Sequence, residues 1–519
     1  MAGLGSTPPR AFLQGWPLGA DRGSGFGAVD RAVAHSGAGA TRMSRKRKVQ
    51  SYLRTEQGNA EMFASAYGQV VKFDHKQGRW LIWNKKLGRW LEDKQHNVRM
   101  LMAKIARLRL RSAVRLPQGQ EERVKQIRWA LSSENRNRID ASLELAKSIP
   151  PISDDGENWD SNPWLLSVDN GVVDLRTGKL REERPEDRIT LRSPIKFDPE
   201  AKCPRFERFM LEIFNGDSEF VSFLQRAVGY SLTGLAEEQC AFFCYGNGAN
   251  GKSTFLGVLH SLLGDYAVNV PFSTLERKDR SGIPNDVAML AGKRFATAIE
   301  TGEDVRLNEA RIKAITGSDP ITGRFLYHEN FTFNPTHKLW LAFNHRPRIA
   351  DDSEGMWRRV KLIPFTRQFR GQQRDKKLFD VLKAEARGIL AWAVRGTLLW
   401  RKHGLGEPQT VTNATAEYRK ESDHFEHFVD ECCTGDPNST VLTAALWDRY
   451  QHWASQNGER SLSRTAFTER LKQRGFTGLR VGHKGTRGWR GIGLQTWNSQ
   501  EPDAAVVDLS DFVEEQVEC

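Results

Sequence analysis

The stretch AFFCYGNGANGKSTFLGVLHSLLG, Ala241 to Gly264, reads as a short apolar strand, a glycine-rich turn and an apolar helix in immediate succession. Within it Gly246-Asn247-Gly248-Ala249-Asn250-Gly251-Lys252-Ser253 matches GxxxxGK[ST], Thr254 follows, and both flanks are the ones the motif requires. Glycines in such a loop turn successive backbone N–H groups inward around phosphates, and the helix N-terminus adds a favourable dipole. The Lys252 ammonium is a point charge for β- and γ-phosphates, and the Ser253 hydroxyl is placed to ligate Mg²⁺. The expectation is an ATP and Mg²⁺ site built by residues 246–254 on an α/β core.

Such a loop needs an acid at the tip of a second strand to hold the metal and polarise the attacking water. RFATAIETGED supplies two: Glu300 directly after the apolar run Phe295–Ile299, and Glu303 beyond Gly302, the weaker candidate. THKLWLAFNHRPRI is another apolar strand, Leu339 to Phe343, ending in Asn344, whose amide can bond a γ-phosphate or the nucleophilic water, or can cap the turn before Pro347. In DDSEGMWRRVKLIPF, Arg358 and Arg359 stand just before a further short strand, where a guanidinium fork can reach a neighbouring subunit's γ-phosphate.

The set of blocks GNGANGKST, RFATAIETGED, EARIKAITGSDPITGRFLYHENFTFNPTHKLWLAFNHRP and GMWRRVKLIPF resembles the helicase region of the phage and plasmid primase-helicases, a superfamily-three group that includes the poxvirus primase-helicase. The resemblance extends through SNPWLLSVDNGVVDLRTGKL and AVGYSLTG to TEQGNAEMFASAYG and GRWLIWNKKLGRWLED, leaving outside it only the first 42 residues and the last 19. It implies that Lys252 and Ser253 serve the nucleotide, that Glu300 is the Walker B acid with Ser253 on the metal, and that Asn344 is the sensor. It further implies that Arg359, with Arg358 as the close alternative, is a finger acting across the interface of a ring, most often a hexamer. The segment Lys313–Lys338 resembles the family's DNA-engaging block with its hairpin, with Lys313, Arg324, His328, His337 and Lys338 as cationic or titratable candidates. Members that also make primers carry a primase domain ahead of the helicase; the 140 or so residues before residue 150 show no acidic triad or zinc ribbon, so a separate primase is expected.

Composition agrees with a polyanionic partner. The 519 residues hold 77 Lys plus Arg against 64 Asp plus Glu, a net charge of +13. With 27% charged residues and a mean hydropathy of −0.57, a membrane-spanning class is excluded. Six unevenly placed cysteines form neither a disulfide framework nor paired zinc spacing, which fits a reducing compartment such as a host cytoplasm. Cys432 and Cys433 read as buried thiols.

Outward from the core, residues 1–42 are rich in Gly, Ala, Ser and Pro and read as a disordered leader, with Met43 a candidate start. Residues 43–150 form a basic accessory module: a helix in GNAEMFASAYG, two or three short strands carrying Trp80, Trp83 and Trp90, a basic helix from Asn97 to about Leu116 and a second helical stretch to Ser148. Pro150-Pro151 with the acidic SDDGENWD reads as a linker. Residues 151–235 lead into the core at 236–370, core helices fill 371–420, and 421–500 reads as a winged helix that presents Arg464, Arg470 and Lys472 to phosphates. Residues 501–519 are acidic and free of Lys and Arg. The fold expected is thus α/β: a P-loop, AAA+-like ATPase core with a helical and hairpin N-terminal region and a C-terminal winged-helix domain. The function expected is an ATP-driven DNA helicase of a phage, plasmid or integrated element, acting as a ring on single-stranded or forked DNA. A DNA-binding initiator that uses ATP as an assembly switch is its rival, and a small-molecule kinase a more distant one.

Overall fold

The computed structural model describes residues 51–119, 121–277, 285–300, 306–325, 329–349, 351, 353–458, 461–481 and 485–495. The leader, the acidic tail, Glu303 and His328 therefore lie outside the described residues.

The N-terminal module begins with a helix, Glu56–Tyr67, capped by Thr55, whose side chain accepts the Gly58 N–H. Strands β1 (Val71–Asp74), β2 (Arg79–Asn84) and β3 (Arg89–Glu92) then form an antiparallel sheet turned by Gly78 and Gly88, both at positive φ. The basic helix spans Asn97–Val114, burying Val98, Leu101, Met102 and Ile105 along one face. The next helical stretch is broken into two helices, Glu121–Ser132 and Arg136–Ala146.

The expected linker is not one. Beyond Pro150-Pro151, β4 (Ser153–Asp154) adds to the edge of β1 in parallel, giving the sheet order β3-β2-β1-β4. Asp154 accepts both Arg188 Nη atoms at 2.6 and 2.7 Å, Trp159 packs edge-on to Trp90 at 5.4 Å, and the Arg188 guanidinium lies 4.4 Å over the Trp159 ring. The Trp90 backbone N–H also donates to Ile189 O at 2.9 Å. Because residues past 150 complete its sheet edge, ring stack and ion pair, the N-terminal module is fused to the segment 151–235.

Within that segment a small antiparallel sheet of β5 (Leu165–Val168), β6 (Gly171–Asp174) and β7 (Lys179–Arg181) precedes two helices, Pro204–Ile213 and Ser218–Leu232. The central layer is built from β8 (Ala241–Tyr245), β9 (Ala267–Asn269) and β10 (Phe295–Ile299). A hairpin of β11 (Ile321–Gly323) and β12 (Phe331–Phe333) comes after them, and then β13 (Lys338–Phe343) and β14 (Val360–Pro364). Five of these make one all-parallel sheet in the order β14-β8-β13-β10-β9. Parallel strands covered on both faces read as continuous apolar runs, and every residue of β13 is buried. Trp340 at its centre stacks on Phe242 at 4.2 Å between ring centroids, with the rings 27° apart. One face is covered by the helices Lys252–Leu263, Ser218–Leu232 and Ala386–His403, whose buried side chains join those of the sheet in the largest core.

The C-terminal part has its own core around Phe428, Trp447, Tyr450, Phe467 and Trp489. In chain order it runs helix His424–Cys432, β15 (Cys433–Thr434), β16 (Thr440–Leu442), helices Thr443–Gln456 and Arg464–Gln473, β17 (Thr477–Val481), β18 (Thr486–Arg490) and β19 (Gly493–Leu494). The sheet order β16-β18-β17 puts the two-stranded basic ribbon β17/β18 beside the third helix. Cys432 and Cys433 are buried thiols, as are Cys203, Cys240 and Cys244. No helix among the described residues is long and apolar enough to cross a membrane.

Candidate functional site at the carboxyl edge of the parallel sheet

The loop after β8 is shaped by what a side chain would strike. Gly246 has φ +153°, and a Cβ there would lie 2.3 Å from Asn250 Nδ2 and 2.4 Å from Phe365 O. Gly251, at φ +89°, starts the helix Lys252–Leu263, and a Cβ would press on Phe209 at 3.1 Å. Asn250 is 2% exposed and donates Nδ2–H to Phe365 O at 3.1 Å, so the loop is pinned to the chain leaving β14. Phe369 N–H donates to Ala249 O at 2.8 Å on the same side.

Lys252 is buried, and burial holds its ammonium below the ordinary lysine value. Its Nζ donates to Gly246 O, to Asn250 Oδ1 at 3.2 Å and to Asn344 Oδ1 at 3.3 Å. Strand order explains the last contact: β13 lies next to β8, so its tip brings Asn344 to the loop from 92 residues away. Ser253 is exposed at the helix start, Thr254 half-buried and Asn247 exposed at the turn, all at the same edge of the sheet. Beside the loop a cavity of about 430 Å³ is lined by Gly248–Thr254, Asn344 and Arg205, with Phe209, Phe369 and Phe379 as an apolar wall.

Glu300 follows β10, on the far side of β13, and its N–H continues the ladder to Ala342 O at 2.9 Å. The residue is 9% exposed, and neither carboxylate oxygen has a hydrogen-bond partner. Burial first, and the Glu276 charge second, push its carboxyl up to about 7. A buried carboxylate without a donor is costly unless a cation meets it, so the donor set fits a hard divalent ion. No group of three or more His, Cys, Asp or Glu that could hold a metal exists among the described residues, which matches an ion shared between one carboxylate, a hydroxyl such as that of Ser253 and ligand oxygens.

Arg358 is exposed, with Nη2 3.5 Å from Gln239 Oε1. Arg359 is half-buried, donates to Gly355 O through Nη1, and is lowered from its ordinary value by burial and then by the Arg358 charge. Of the pair, Arg358 is the one that projects outward.

The expected DNA-engaging group is not gathered in one place. Lys313 is paired with Asp351 and bonded to Ser353 Oγ at 2.9 Å, Arg324 stands exposed after β11, and His328 lies outside the described residues. His337 and Lys338 must be corrected, because both are buried. Burial and then the neighbouring Lys338 charge lower the His337 imidazole to about 4, leaving it neutral. Lys338 Nζ donates to the carbonyls of Thr233, Leu235 (3.2 Å) and Thr336 (3.0 Å), so it ties the strand to the end of helix Ser218–Leu232 and cannot reach a nucleic acid. Arg470 is corrected likewise: its side chain is 14% exposed and faces Asp423 at 3.6 Å. Lys472 is exposed beside Glu469, and Arg464 lies 5.6 Å over the Trp447 ring.

Sequence reasoning missed Glu276, the second charge acting on Glu300, and the cavity residues Arg205 and Phe379. None carries a local signal, since each reaches the site from a separate element.

The fold and site together define a mixed α/β protein with a parallel sheet and a glycine-rich loop at its carboxyl edge. Residues 60–215 match the family model described as D5 N terminal like, 244–359 a family of unknown function, and 420–478 the model described as poxvirus D5 protein-like. The chain belongs to the D5-like primase-helicase family. It is 28% identical over 324 residues to the "putative helicase L207/L206" of Acanthamoeba polyphaga mimivirus, covering 58% of this chain and 34% of that protein. It is 26% identical over 387 residues to the "putative helicase 022R" of Frog virus 3, covering 58% and 40%. To the "putative primase C962R" of African swine fever virus it is 25% identical over 210 residues, covering 39% and 22%. The chain thus spans two fifths or less of the length of these relatives. The apo structure of the NrS-1 C-terminal region aligns with 81% of this chain and 96% of that one at 10% identity and a TM-score of 0.43.

Proposed function

We propose that the protein is a replicative DNA helicase of a viral or mobile element, driven by ATP bound at the P-loop of an AAA+-like core. The observation that carries the reading is the meeting of Lys252 Nζ with Asn344 Oδ1 at 3.3 Å, with the unpartnered Glu300 carboxylate one strand further along the same edge. The names of the relatives point the same way.

In this reading the backbone N–H groups of Gly246–Ser253 cradle phosphates, and Lys252 leaves the loop carbonyls for the β- and γ-oxygens. Asn344 then orients the attacking water, and Glu300 takes up its proton, a task suited to a carboxyl near 7. Ser253 and Glu300 would hold Mg²⁺, which supplies charge neutralisation at the phosphates. The outward Arg358, or Arg359 once freed from Gly355 O, completes the site of an adjacent subunit in a ring, a hexamer by family resemblance. The C-terminal part acts as a winged helix, offering phosphates the ribbon cations Arg480, Arg487 and Arg490 and the exposed Lys472. A separate primase acts alongside, in the cytoplasm of the host.

The test is ATP hydrolysis by the purified chain with and without single-stranded DNA, beside strand displacement on a forked duplex. Stimulated hydrolysis with displacement is expected. Hydrolysis without displacement would favour an ATP-switched initiator, and no hydrolysis would sink the catalytic assignment.

A further inference from the structure

The β11/β12 hairpin carries a ladder of three phenylalanines that runs from the core into solvent. Phe333 pairs with Ile321 and packs against the core beneath the sheet. Phe331 follows at 5.7 Å, and Phe325 stacks on Phe331 at 5.5 Å with the rings only 18° from parallel. Phe325 is 42% exposed, the one aromatic among the large hydrophobic residues left exposed in the described residues. With one ring face covered by Phe331, that exposure belongs to the opposite face. The ladder is held stiffly: Gly323 sits opposite Phe331, and a Cβ at 323 would come 3.0 Å from Ala288 Cα, so the hairpin lies hard against the helix Asn285–Ala288. Arg324 stands exposed beside the outer ring.

An open ring face, prepaid in orientation by a second ring and flanked by a cation, is what an unpaired base and its phosphate require. Every base has a π face, so such a contact is tolerant of sequence. We propose that Phe325, backed by Phe331, is a stacking platform for one base of single-stranded nucleic acid, and that Arg324 holds the adjoining phosphate. This rests on the helicase reading and names the residues by which the motor grips its strand.

The experiment compares full-length wild type with Phe325→Ala, Phe325→Leu and Phe325→Trp. Fluorescence anisotropy is read with a labelled oligo-dT and with an abasic oligonucleotide of the same length. Phe325→Ala should weaken binding to oligo-dT about tenfold while leaving affinity for the abasic strand unchanged, since that strand has no base to stack. Phe325→Leu, apolar but without a π face, should behave like alanine, and Phe325→Trp like wild type. Arg324→Ala should weaken both ligands and reduce the salt dependence. Equal affinity of wild type and Phe325→Ala for oligo-dT, or an equal loss on both strands, overturns the platform while leaving the helicase reading intact. A wild type that binds neither strand overturns both.

Discussion

Replacing Glu300 by glutamine should stabilise the nucleotide-free protein above neutral pH at the same time as it abolishes turnover. The Glu300 carboxyl sits at about 7 in the fold against an ordinary 4.5, chiefly because it is buried. Between those values the folded chain holds a proton that the unfolded chain has lost, so the native state binds more protons and stability falls as pH rises. Each tenfold difference in proton affinity is worth about 1.4 kcal/mol, so the loss between pH 5 and pH 8 would reach about 2.5 kcal/mol; partial access of water brings it to about 1–2 kcal/mol. Glutamine keeps the shape and has no proton to lose. Urea denaturation of both proteins at pH 5 and pH 8, without nucleotide or divalent ion, should show the difference between them widening by that amount in favour of Glu300→Gln. Adding Mg²⁺ and ATP should reverse the order, because the cation binds the carboxylate and stabilises the wild type by linkage. Parallel stability curves at the two pH values would refute the buried, donor-free position of the carboxyl. Wild-type hydrolysis in the variant would move the catalytic acid to another residue.

Lys252→Ala should lower ATP hydrolysis by about 10²–10³-fold while DNA affinity is retained, since its Nζ serves only the loop and Asn344; a coupled ATPase assay and anisotropy read the two separately. Lys338→Met should lower unfolding free energy by about 2–4 kcal/mol because the carbonyls of Thr233, Leu235 and Thr336 lose their donor; a variant of unchanged stability with weakened DNA binding would return this residue to the nucleic-acid surface. Arg358→Ala and Lys252→Ala proteins, each inactive alone, should regain hydrolysis when mixed, as an intact site meets an intact finger across a subunit boundary; a mixture as inactive as its parts would rule out an Arg358 finger in trans.

The glycine loop, Glu300 and Asn344 are readable from sequence because each is announced locally, by a dense motif or by the polar residue that ends an apolar run. Parallel strands ending on one edge then bring the three tips together. Lys338 and His337 mislead because THK, next to Asn334 and Pro335, looks like a polar loop. The carbonyls that bury Lys338 come from residues a hundred positions earlier, and no local pattern reports them. Strand β4 is two residues long beyond a proline pair, too short to show a period, and only its partner β1 identifies it. Arg470 reads as a recognition-helix cation until Asp423, on a different helix, turns it inward. The phenylalanine ladder is invisible for the same reason: Phe325, Phe331 and Phe333 reveal their order only once the hairpin register sets Gly323 against Phe331.

The sharing of β4, Trp159 and Arg188 across residue 150 governs how the molecule can be dissected. A fragment ending at 150 would bare the edge of β1 at Phe73 and Asp74 and strip Trp90 of its edge-on neighbour. A fragment beginning at 151 would keep Arg188 paired with Asp154 but leave Ile189 O without the Trp90 N–H. Either cut leaves an adhesive strand edge, and both pieces should aggregate. The same seam makes the first hundred described residues a rigid outrigger of the motor: any rotation of the parallel sheet during turnover is transmitted to the basic helix Asn97–Val114 without slack, so a label on that helix would report the stroke.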